Sequence, residues 1–145
     1  MEGLLKAGLD DPAKIYAVWC PFPGSARDLS TICGSQTAKD GVRFSFTYFE
    51  RFDEPDSGRC VNQHTIMLHE IFHALEAVSP CAPNYFEQSP DLRKGHVIDD
   101  PNDLMYGGHE LGVMIELDTN RDDYFGHSVA GCTDVADSPF IQKAN

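Results

Sequence analysis

The chain has 145 residues and a formal net charge of -12, with 11 Lys and Arg against 23 Asp and Glu. That length suits one domain with a real core, and the acidic balance excludes a surface built for nucleic-acid phosphates or for an anionic membrane. No apolar run approaches the roughly 18 residues that a spanning helix needs, so a soluble protein is expected. The opening MEGLLKAGLDDP has no basic segment followed by a long apolar one, so no signal peptide is visible; a mature or trimmed chain with an added Met fits the same start.

In chain order, Lys14 to Trp19 (KIYAVW) is short, apolar and aromatic and is closed by Pro21-Phe22-Pro23-Gly24, which reads as a strand ended by a turn. Ser25 to Gly41 is polar and small, with Gly34 and Gly41, and is expected to be a loop or irregular crossover. Val42 to Phe49 alternates, with Val42, Phe44, Phe46 and Tyr48 on one face and Arg43, Ser45 and Thr47 on the other, as a half-buried strand does. The turn-rich FDEPDSGRC leads into a helix for which Asn62 is the N-cap candidate and Ser79-Pro80 the end. Met67, Leu68, Ile71, Phe72, Ala74, Leu75 and Val78 cover one side of that helix, which is therefore expected to be largely buried. Cys81 to Asp103, broken by prolines, is expected to be mostly irregular, and Val113 to Leu117 fits a strand or the start of a helix.

The five cysteines, Cys20, Cys33, Cys60, Cys81 and Cys132, form no CxxC pair. Disulfides of an exported protein are favoured over a thiolate metal site or buried free thiols. Cys60 and Cys81 flank the helix, whose roughly 17 residues span about 25 Å; that far exceeds the roughly 7 Å limit between bridged Cα atoms. The pairing expected is Cys33 with Cys60 and Cys81 with Cys132, leaving Cys20 over.

The helix carries His69-Glu70-Ile71-Phe72-His73, an HExxH arrangement. Residues four apart share a helix face, so both imidazoles can hold one Zn2+ ion while Glu70, at the rim of that face, reaches a water on it. Catalytic zinc takes a third protein ligand, and the residues alone leave it open among Glu76, Glu87, His96, Asp99, Asp100, Asp103 and His109. Glu76 lies a full turn beyond His73 and suits a cleft-lining or hydrogen-bonding place better than a ligand. His64, nearly one and a half turns before His69, is expected at the surface or behind a ligand as a hydrogen-bonding group, and His109 and His127 have no motif support. A zinc hydrolase of a non-protein substrate and a non-catalytic zinc-binding or interaction module share the motif; an intact Glu70 argues against the latter.

HEIFHALEAV is followed by GHVIDDPNDLMY, LDTNRDDYFGH and DVADSPFI. In this combination the chain resembles the metzincin clan of zinc metallopeptidases, and within it a group of secreted bacterial proteins read as zinc peptidases; the likeness covers roughly Tyr16 to Ile141. The resemblance implies a single catalytic domain over 1–145, with an N-terminal part of about 1–80 and a C-terminal part of about 81–145. The fold expected is α+β and zincin-like: a twisted mixed sheet on the active-site helix, then an irregular C-terminal subdomain with a Met-turn. It further implies His96 as the third zinc ligand, Met105 as an apolar floor beneath the imidazoles, and Tyr106 as a group that orients substrate or stabilises an oxyanion. The activity implied is that of a secreted endopeptidase acting on polypeptide, with Glu70 as general base.

Metzincins have Gly three residues after the second His, and here that residue is Glu76; the compact spacing would put the third His at Ser79. The helix is therefore expected to run on by a turn, with His96 delivered from the loop. The Asp118–Asp123 run alternates oxygen side chains as a Ca2+ loop would, but lacks the Gly and Glu of such a loop, and an acidic solvated turn is the expectation.

Overall fold

In the computed structural model, the chain divides into two units, Met1–Ala74 and Leu75–Asn145; the residues described are 1–21, 33–49, 62–87, 94–107 and 115–141. The first unit is mixed α+β: helix α1 (Glu2–Lys6), strands β1 (Ile15–Pro21), β2 (Gly34–Lys39) and β3 (Val42–Phe49), and helix α2 (Gln63–Ala74). The sheet has the order β1-β3-β2. β1 runs parallel to β3 with Tyr16 opposite Phe44, and β2 runs antiparallel to it with Gly34 opposite Thr47.

β3 has the predicted bounds, and β2 corrects the expectation of an irregular stretch up to Gly41. The signal for β2 lies in its turn. Asp40 (φ 55) and Gly41 (φ 81) both take left-handed backbone, the two-residue hairpin connection for which Asp-Gly is suited, and Lys39 pairs with Val42 across it.

A second correction concerns the faces of β3. Phe44 stacks on Tyr16 with ring centroids 5.5 Å apart, and Val42 and Phe44 are buried as the alternation predicts. Ser45 and Thr47 on the opposite face are buried as well. α2 packs on β3 and β2, and the Ser45 hydroxyl donates to the Glu70 backbone carbonyl at 2.9 Å. A helix backbone held this close to a strand requires small side chains below it. Ser45 meets that need without leaving its own hydroxyl unpaired.

α2 buries Met67, Glu70, Phe72 and Ala74, whereas Leu68, expected in the apolar covering, is 44% exposed. The helix stops at Ala74 instead of running on toward Ser79. Glu76 then takes φ 57, the left-handed position in which helices commonly end and for which glycine is the easiest residue. The chain therefore turns at Glu76 as it would at a glycine.

The second unit contains single 3₁₀ turns at Thr119–Arg121 and Val135–Asp137 and no longer helix or strand among its described residues. Isolated bridges join Tyr85 to Val97, Val97 to Tyr106 and Asp103 to Glu116. Around them Val97, Leu104, Met105, Tyr124 and Val135 are buried. Cys81 is bonded to Cys132 as expected. Cys33 is also disulfide-bonded; Cys60, the partner expected for it, lies outside the described residues, and Cys20 is a free thiol.

Three carboxylates substitute for the missing ladders. Asp118 is only 1% exposed and accepts the backbone N–H groups of Asp122 at 3.3 Å, Asp123 at 3.2 Å, Tyr124 at 2.7 Å and also Phe125. Asp103 accepts from Met105 N at 2.6 Å, Thr119 N at 2.8 Å and the Tyr124 hydroxyl at 2.9 Å. Asp134 accepts from Gly126 N at 2.6 Å, His127 N at 3.1 Å and Ala136 N at 2.8 Å. The Asp118–Asp123 run is thus not the solvated turn expected: its end residues are both 1% exposed. Buried amides need acceptors, and in this irregular chain side chains supply them.

Candidate metal centre

The helical spacing of His69 and His73 has its predicted consequence. Their Nε2 atoms lie 3.0 Å apart, with the rings edge to face at 84° and centroids 4.6 Å apart. Two nitrogens each about 2.05 Å from one tetrahedral zinc ion would stand about 3.3 Å apart, so the pair fits a shared ion with little adjustment. Both rings are half-buried, which suits neutral imidazoles that can also be reached.

Glu70 is 8% exposed, and burial pushes its carboxyl up to about 7. A carboxylate in that range takes up and releases a proton near neutrality, as a general base must. Two neighbours fix it from the sheet: Ser45 holds its backbone carbonyl, and its side chain fills the space beside the bare Cα of Gly34. Neither neighbour was singled out for such a role from the sequence. A glycine opening a polar strand carries no periodic signal.

In the second unit His96 is half-buried and sits next to Val97, the residue bridged on both sides. The His96 carbonyl accepts from Phe86 N at 3.0 Å. Gly107 lies against it, since a Cβ there would come within 2.8 Å of His96 Cβ. Met105 is fully buried; its carbonyl accepts from Val97 N at 3.0 Å and its own N–H donates to Asp103. Tyr106 is half-buried.

Of the other third-ligand candidates, Glu76, Glu87 and Asp99 are exposed, and Asp100 accepts from Asn102 N at 2.8 Å. Asp103 spends its oxygens on three donors, and burial still pushes it up to about 6 against their pull. His64 is exposed, the surface place of the two expected. His127 takes a local bond from Val129 N at 3.1 Å, and His109 lies outside the described residues.

The described residues hold histidine and aspartate groups that could bind a metal ion: the His69 and His73 pair in the first unit and, in the second, Asp99, Asp122 and Asp123, with one ligand atom per residue of this aspartate group within 4.8 Å of the others. The aspartate group is partly satisfied from within. Asn84 donates its backbone N–H to Asp123 Oδ1 at 2.8 Å and its amide to Asp123 Oδ2 at 3.1 Å and Asp122 Oδ2 at 3.3 Å. Burial, then neighbouring acids, raise the Asp99 and Asp123 carboxyls.

No family model, curated protein or solved structure matches the chain. No helix among the described residues is long and apolar enough to cross a membrane.

Proposed function

We propose that the chain is a zinc-dependent endopeptidase of zincin type, exported to an oxidising compartment, in which His69, His73 and His96 hold the ion and Glu70 is the general base. The observation that carries this reading is the His69–His73 pair, two imidazole nitrogens 3.0 Å apart on the helix that also presents a buried Glu70 with its carboxyl pushed up to about 7. Further support comes from the left-handed Glu76 where metzincins turn after their second His, and from the Cys81–Cys132 disulfide; His96 is assigned as the third ligand on the motif alone.

When bound, the ion supplies Lewis-acid polarisation of the scissile carbonyl and of a water. The chain does the rest. A Glu70 carboxylate oxygen accepts the proton of the attacking water and returns it to the leaving amine, and burial suits it to both directions of transfer at neutral pH. Tyr106 is the side chain assigned to orient the substrate or stabilise the oxyanion. His69 and His73 bind only as neutral rings, so activity falls in acid as they protonate.

The test is Glu70→Ala assayed for bound zinc and for casein hydrolysis. One zinc per chain with proteolysis reduced by about 100-fold or more is expected; unchanged proteolysis sinks the role of Glu70. His96→Ala is expected to lower zinc content, and stoichiometric zinc in that variant removes His96 from the ligand set.

A further inference from the structure

β2 opens on a residue with no side chain, and Glu70 occupies the room that a side chain there would need. A Cβ on Gly34 would lie 2.5 Å from Glu70 Cγ, 2.6 Å from Oε1 and 2.8 Å from Cδ, all well inside the roughly 3.5–4.0 Å of ordinary carbon contact. The constraint is one of space, because Gly34 sits in an ordinary strand conformation open to any residue. Its place is also fixed from the other side: Gly34 pairs with Thr47 on β3, two residues beyond Ser45, which tethers the Glu70 carbonyl at 2.9 Å. The Glu70 backbone is therefore tied to β3 while its side chain lies against β2. The three atoms nearest a methyl group at position 34 all belong to the Glu70 side chain, which would have to swing away.

We propose that Gly34 is the positioning residue for Glu70: the bare Cα at the start of β2 sets where the carboxylate lies. Its effect on rate rests on the reading of Glu70 as general base, but the steric coupling does not, and the two are tested separately in the full-length chain.

The coupling is read from urea unfolding of the wild type, Gly34→Ala, Glu70→Ala and the double variant. Gly34→Ala alone is expected to raise the unfolding constant about 10-fold, and to change it less than about 2-fold once the Glu70 side chain is gone. If Gly34→Ala does not fold and the double variant does, the coupling stands. If effects are additive, or neither folds, the clash is not with Glu70 and the proposal is overturned. In an active enzyme, Gly34→Ala is expected to lower kcat about 10–100-fold with KM and zinc content unchanged, since a carboxylate moved by about an ångström fails in proton transfer and not in binding. An unchanged kcat in an active enzyme also overturns it. A wild type that hydrolyses no peptide refutes the peptidase reading, and the unfolding cycle still decides the role of Gly34.

Discussion

Removing a single oxygen from the second unit tests whether buried acids hold it together. Tyr124 is fully buried, and its hydroxyl donates to Asp103 Oδ1 at 2.9 Å while accepting from Asp118 N at 2.9 Å. Tyr124→Phe keeps the ring and deletes both bonds. The Asp118 N–H, buried, then lacks its acceptor at about 1–3 kcal/mol, and Asp103 loses one of three donors, a bond to a charged group worth about 1.5–3 kcal/mol. No longer burying a hydroxyl returns about 1–3 kcal/mol, leaving a net loss of about 2–3 kcal/mol. With an m-value of about 1 kcal/mol/M for a unit this small, the urea midpoint should fall by about 2 M at pH 7.5. The cost should shrink at pH 5, because Asp103 titrates at about 6 and the protonated acid depends less on that donor. A loss below about 0.5 kcal/mol, or one that grows on acidification, would refute the reasoning.

Asp103 itself should show a side-chain carboxyl midpoint near 6 by carbon NMR, against about 3.9 in the unfolded chain. Because the folded value is the higher one, its contribution to stability is fully present below about 4 and is lost as pH rises through about 6; a midpoint near 4 would overturn the assignment. Glu76→Gly should stabilise by about 0.5–1 kcal/mol, relief of a left-handed L-residue outweighing the added freedom of the unfolded chain, and would appear as a higher melting temperature. Replacing Cys81 and Cys132 by Ser opens a loop with a sequence separation of 51 and should cost about 4 kcal/mol in denaturant unfolding by the chain-entropy model; a cost under about 1 kcal/mol would show residual structure in the reduced unfolded chain.

The parts of the fold legible in the sequence are those with a period. β3 repeats every two residues and has the predicted bounds. The His69 and His73 pair follows from helical spacing and comes out with nitrogens in contact. β2 was hidden because GSQTAK has only Ala38 as an apolar residue, leaving the Asp40-Gly41 turn as its one local signal. The buried side of Ser45 and Thr47 was hidden for a different reason: what covers a strand's polar face is decided by a helix roughly 25 residues away. The second unit was the least legible. Its order comes from single bonds such as Asp103 to Thr119 and Asp118 to Tyr124, and such pairings have no repeat to read. Acidic residues in a polar run look solvated until the amides they accept from are known.

The left-handed Glu76 bears on how such a turn is recognised at all. What the chain needs at that place is one backbone dihedral, and glycine is only the residue that reaches it most cheaply. A pattern written as a fixed glycine therefore encodes a preference of about 1 kcal/mol as though it were an absolute requirement. The geometry itself is open to any chain whose surrounding contacts can hold an ordinary residue there, so a search by backbone angle after the second histidine would gather sequences that a search by letter leaves apart.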